Sequence, residues 1–317
     1  LCALLGKPAS DAQLLDIVTR LVVAELLDWH TERVGTEPRL SFRHSLIREA
    51  AYSLLTAEDR VRGHLLAATF LEQDSEQPPA LLAEHYMRGL DAVRAVAYYT
   101  KAAERALVQN DLGGALSYVA QGLSTGATDL ARGYLCAINV VARFYRDEWP
   151  EALQNGQVAL HLLPPGCRSW YQAAAQLLPI LNFLQDPGLY EQLADSVMQA
   201  QPEQDARSTY IEAAANLVIT RSLRGQREPG HRMLQILEAQ IPSLADHEAV
   251  DLGRIEFSAA VHAYMVHGDA WNTLQHALAG SQAAERAGDL RAYLFVKPFT
   301  ALALADMGDV AEAEKIL

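Results

Sequence analysis

A turn that returns about every forty residues constrains this chain more than any other feature. Gly or Asp, a polar residue and then an Ala- and Leu-rich stretch occur at Asp111-Leu112-Gly113-Gly114-Ala115, Asp147-Glu148-Trp149-Pro150-Glu151-Ala152 and Asp186-Pro187-Gly188-Leu189. The element returns at Gly225-Gln226-Arg227-Glu228-Pro229, Gly268-Asp269-Ala270-Trp271 and Gly308-Asp309-Val310-Ala311-Glu312-Ala313. Aligned on Asp111, Asp147, Asp186, Gln226, Asp269 and Asp309, the steps are 36, 39, 40, 43 and 40 residues. A self-similar period of this length marks a stack of supersecondary units, each too small to bury its own apolar face.

The chemistry inside each period predicts two antiparallel helices. Gly or Asn before the anchor suits a helix C-terminus, where a left-handed residue is needed. Asp then suits the next N-cap, its carboxylate accepting a backbone N–H. Pro150, Pro187 and Pro229 follow their turns closely, where a missing N–H costs nothing. The helix after each anchor runs for roughly four turns and often ends at proline, as at Leu163-Pro164-Pro165, Gln201-Pro202 and Ile241-Pro242. Small residues at Ala213–Ala215 and at Ala259 and Ala260 let helices approach. Leu217, Tyr264, Tyr134 and Phe144 are expected to fill the next groove.

Composition narrows the function classes. Half of the 317 residues are apolar, so a large core is possible, and the abundance of Leu and Ala favours helix over strand. A net charge of −13 argues against non-specific binding to nucleic acid or anionic membrane. Cys2, Cys136 and Cys167 are odd in number and far apart, which fits a reducing, cytoplasmic setting. No apolar run approaches a membrane span, and the start at Leu1 has no basic stretch of a signal peptide. The start at Leu1 without Met and the stop at Glu314-Lys315-Ile316-Leu317 within an amphipathic pattern lead us to expect an internal segment of a longer chain.

The first hundred residues are patterned differently. Leu14 through Leu27 reads as an amphipathic helix leading into Trp29-His30. A polar break from Thr31 to Pro38 follows, then the alternation Arg39-Leu40-Ser41-Phe42-Arg43-His44, which predicts a short strand. Two short strands around Val34-Gly35-Thr36 and a helix from Ser45 to Leu55 suggest a winged helix. As a DNA reader it would need exposed Lys and Arg on a recognition helix. The stretch Gln13–Leu27 offers only Arg20, so a structural role is expected and no nucleic acid partner.

Phe42-Arg43-His44-Ser45-Leu46-Ile47-Arg48-Glu49-Ala50-Ala51-Tyr52 resembles the end of the winged-helix domain in STAND-class signalling ATPases. These are bacterial regulators related in design to maltose-type activators and large ATP-binding LuxR-type regulators. Glu58-Asp59-Arg60-Val61-Arg62-Gly63-His64 is similar to the helix after the wing. Leu82-Ala83-Glu84-His85-Tyr86 and Ala97-Tyr98-Tyr99-Thr100-Lys101 are similar to the start of the family's repeats. The close likeness covers about residues 1–125. Beyond it, Gly268-Asp269 and Gly308-Asp309 resemble the helix junctions of tetratricopeptide repeats, with a period nearer forty than that family's thirty-four. The resemblance implies a mainly α fold: a winged-helix-like domain over 1–75, then a right-handed superhelix of antiparallel tetratricopeptide-like hairpins over 76–317. It also implies that His44 reaches a nucleotide, ATP or ADP, held by a neighbouring ATPase domain.

Linear motifs of chemistry are missing. Gly6-Lys7 is followed by Pro8 and belongs to no phosphate loop; G-x-S-x-G, H-E-x-x-H and C-x-x-C do not occur. No two of the ten histidines stand four apart, and His262 and His267, five apart, are expected on different faces of a helix. The carboxylates read as solvated faces, with no pair preferred for acid–base work. The segment is therefore expected to be no enzyme, with no cofactor or metal of its own. It is expected to bind a protein partner or small inducer through its repeats, in transcription or signal-transduction control, and to contact no membrane. A free-standing scaffold for protein assembly is the alternative.

Overall fold

The computed structural model describes residues 12–30 and 39–316. It is mainly helical, 79% of it in sixteen helices, with one two-stranded sheet. By internal contacts the chain forms two compact units. One holds the described residues up to Arg105 with Ala120–Ala127; the other holds Ala106–Val119 and the described residues from Thr128 on.

The first unit begins with α1 (Ala12–Val23), which buries Leu14 and Val18. Strands β1 (Leu27–His30) and β2 (Arg39–Phe42) pair antiparallel, Leu27 opposite Phe42 and His30 opposite Arg39. Helix α1 thus stops four residues short of the sequence expectation. Glu25 takes a left-handed φ of 57°, and the Leu26 N–H closes the turn on the Leu21 carbonyl. Leu27–His30 then exchange helical hydrogen bonds for a ladder with β2, which overrides the amphipathic pattern. The turn expected at Val34-Gly35-Thr36 lies outside the described residues. Next come α2 (Ser45–Ser53), α3 (Ala57–Leu71), α4 (Pro79–Arg88) and α5 (Ala92–Val108). Tyr86 of α4 is fully buried and donates its hydroxyl to Glu72 at 2.6 Å, and Tyr98 of α5 donates to the same carboxylate at 2.5 Å. These bonds hold the Glu72 carboxyl below its usual range.

The chain continues through α6 (Leu112–Ser124), α7 (Asp129–Phe144), α8 (Trp149–Leu162), α9 (Arg168–Phe183), α10 (Pro187–Gln199), α11 (Arg207–Leu223) and α12 (Arg227–Glu238). After these come α13 (Ala249–His262), a π-helical turn over Ala263–His267, α14 (Ala270–Ala287), α15 (Leu290–Asp306) and α16 (Val310–Ile316). From α7 onward each helix packs on its successor, and each odd-numbered helix also packs on the next odd one: α7 on α9, α9 on α11, α11 on α13, α13 on α15. The odd helices therefore form one close row, with the even helices laid against it. Alanines make the closeness possible. Ala173–Ala175, Ala213–Ala215, Ala259 and Ala260 are all buried, around Tyr171, Tyr190, Leu177, Leu178 and Leu217. Tyr134, expected in a groove, is 38% exposed on α7; the buried tyrosines lie elsewhere.

The recurrent turn has one geometry. Asn110, Gln185, Gly225, Gly268 and Gly308 are left-handed, and except after Gly268 the next N–H reaches back to a carbonyl five residues earlier, as Asp111 to Ala106 and Asp309 to Leu304. Asp111, Asp186, Asp269 and Asp309 then cap the following helix, Asp269 accepting the Asn272 N–H at 3.0 Å. Leu90-Asp91 and Gly288-Asp289 build the same turn between the anchors. The alignment is corrected at one place: Asp147 is the left-handed residue (φ 58°), and Glu148 occupies the position of the other anchors. Asp269→Ala is accordingly expected to cost about 1 kcal/mol. Asp147→Gly is expected to be neutral or to stabilise by up to about 1 kcal/mol. Urea unfolding of the two variants checks both signs.

Candidate functional site

His44 stands at the N-terminus of α2 with extended backbone (φ −132°, ψ 140°), and its side chain caps nothing and is exposed. It follows β2 by two residues, on the loop into the helix and not within the strand. Arg43 pairs with Glu25 at 3.0 Å, while His44 has no partner among the described residues.

The densest polar grouping lies on the odd row. Gln176 of α9 donates to Glu212 of α11 at 2.7 Å, and Arg254 of α13 donates to the other Glu212 oxygen at 2.8 Å. Arg254 also donates to Asp251 at 3.0 Å, and Ser208 of α11 donates to the same Asp251 oxygen at 2.7 Å. Asp251 is only 3% exposed. Burial opposes the charge on Arg254, but Glu212 and Asp251 outweigh it and hold the guanidinium protonated. Further along, Arg291 of α15 lies 3.8 Å over the Tyr145 ring and donates to Asn110 at 3.0 Å. Burial, and then the Glu212 charge, push the Tyr145 hydroxyl up. The expectation that the carboxylates are solvated faces fails for Asp251, which is buried and shares Arg254 with Glu212. They come from different helices, and no linear spacing brings them together.

A second grouping surrounds His262, the last residue of α13, which is 2% exposed. Its ring lies 5.8 Å from that of His231 on α12 and 5.3 Å from that of His267. The expectation that His262 and His267 lie apart fails because of the π turn. Five α-helical steps would separate them by about 140°, while the wider π turn swings His267 back over His262. The turn also absorbs an extra residue: the Asp269 N–H reaches back six residues, to Ala263, where its sister turns reach five. The one visible signal was the 43-residue step, the longest of the series.

Tyr52, His64 and His85 form a smaller chain in the first unit, with 2.9 Å between the Tyr52 hydroxyl and His64 and 3.0 Å between the two rings. Burial lowers the pKa of both histidines. Cys136 and Cys167 are free and buried, and burial pushes both thiols up, so neither is activated as a nucleophile. Among the described residues no group of three or more His, Cys, Asp or Glu side chains could hold a metal ion, and no helix is long and apolar enough to cross a membrane. The sequence matches no family model and no curated protein.

Proposed function

We propose that this chain is the regulatory segment of a multidomain STAND-class signalling ATPase, binding a protein partner or inducer on its helical array. In this reading residues 1–75 are a winged-helix-like relay and 76–317 a right-handed superhelix of tetratricopeptide-like hairpins. The observation that carries it is the continuous odd row from α7 to α15, stacked through one repeated turn. A rigid row of this kind presents Tyr145, Glu212, Arg254 and Arg291 at fixed spacing, which suits recognition better than turnover. The array need only hold its ligand more tightly in the active state than in the resting one to shift the equilibrium between them.

His44 supplies the link to ATP or ADP on the neighbouring domain. Its imidazole is exposed and has no hydrogen-bond partner among the described residues; in this reading it hydrogen-bonds a nucleotide phosphate and holds the resting state. His44→Ala in the whole protein is expected to raise basal signalling by roughly tenfold, the worth of one charge-assisted hydrogen bond. Basal output and the ADP release rate are the readouts. Unchanged values of both would remove the switch and leave the free-standing scaffold.

A further inference from the structure

Arg291 bends the odd row back on itself. From α7 to α15 the row takes four steps from helix to helix. At 8–10 Å a step, a flat row would hold its two end helices about 32–40 Å apart. Yet the Arg291 guanidinium, in the first turn of α15, lies 3.8 Å over the Tyr145 ring at the end of α7. It also donates to Asn110 Oδ1 at 3.0 Å. The row is therefore curled. Glu212 and Arg254, in the second turns of α11 and α13, lie close enough to Tyr145 to act on its hydroxyl, so they share the inner side of the curl.

Arg291 sits there as a bound ligand would. Tyr145 supplies a ring face and Asn110 an acceptor, and the 3.8 Å contact is the closest of the cation–π pairs among the described residues. In the neighbouring network two carboxylates, Glu212 and Asp251, share the single cation of Arg254, which leaves one negative charge for Arg291 to balance. Among the described residues no carboxylate pairs with Arg291 itself, and its side chain is exposed, so it is able to swing away.

We propose that Tyr145 and Asn110 form a seat for an arginine side chain of a protein partner, with Arg291 as the seat's internal occupant in the resting chain. This rests on the reading of the odd row as the binding face. A planar guanidinium stacks on a ring and donates sideways to an amide at once, which a lysine ammonium does not. Tyr145 stays 36% exposed, so the seat has one open side and suits a side chain presented by a larger body. A small molecule would need walls around it. The net charge of −13 draws a basic partner to the surface. An incoming arginine releases α15 from α7, so binding and relaxation of the curl are coupled.

The test is titration of the full chain with N-acetyl-arginine amide, read by NMR on ring-labelled tyrosines. The Tyr145 signal is assigned by its loss in Tyr145→Leu. Arg291→Ala, at an exposed position that leaves folding intact, should empty the seat and shift that signal. The probe should then move it back at a concentration about tenfold lower than the unmodified chain requires, because a tethered Arg291 competes there. N-acetyl-citrulline amide, the same shape without the charge, should do nothing. Arg286→Ala removes an equal charge from the exposed face of α14 and should behave as the unmodified chain. A Tyr145 signal unmoved by Arg291→Ala, equal probe requirements of the two chains, or an equal response to citrulline overturns the proposal. Basal output of His44→Ala does not depend on this seat, so the regulatory reading stands or falls separately.

Discussion

Arg254→Met is expected to cost about 3 kcal/mol of folding stability at pH 8. The substitution keeps most of the aliphatic stem and removes the cation that Glu212 and Asp251 share. Asp251 then has only the Ser208 hydroxyl and Glu212 only the Gln176 amide. Breaking a buried pair by deleting one partner costs about 3–5 kcal/mol. The lower end applies here, because the Glu212 side chain is 18% exposed and Asp251 lies in the first turn of α13, where the helix dipole favours an anion. Adding Glu212→Gln should recover part of the loss, and the double-mutant cycle measures the coupling. A cost below about 1 kcal/mol at pH 8 would show that the network contributes little.

Acid is expected to weaken the second unit through His262. Burial, together with the neighbouring His267 and His231, pushes its pKa down from 6.5 to about 4. The unfolded chain therefore binds a proton more readily than the folded one. Stability is intact above pH 6.5, is lost as pH falls from about 6.5 to 4, and loses nothing further from this group below that. The full difference is about 3 kcal/mol on the scale of one pKa unit per 1.4 kcal/mol. Urea unfolding at pH 7 and pH 4 measures it. His262→Gln cannot titrate, so its loss between the two pH values should be smaller than that of the unaltered chain by about that amount. Equal losses would mean that His262 opens to solvent before it takes its proton.

The helices and turns were legible in advance because their causes are local. A left-handed Gly or Asn followed by Asp is read from adjacent residues, and the structure places the turns where that chemistry stands, at Asn110-Asp111, Gly268-Asp269 and Gly308-Asp309. The misreadings were local too. At residues 147–148 the alignment followed residue type, while the backbone takes Asp147 as the left-handed residue and Glu148 as the N-cap of the next helix. At residues 24–30 an amphipathic pattern ran on past the helix, because a strand forty residues into the chain competes for the same hydrogen bonds.

The groupings of side chains had no local cause. Gln176, Glu212, Asp251 and Arg254 meet only because three helices, each about forty residues from the next, lie side by side with alanines between them. His231, His262 and His267 meet because one helix ends in a π turn, whose extra residue shows in the sequence only as one longer repeat step. Turn chemistry acts within a few residues of chain, and it is carried in the order of the amino acids. Burial, tautomer and charge pairing depend on which helix faces which, and for this protein packing alone decides that.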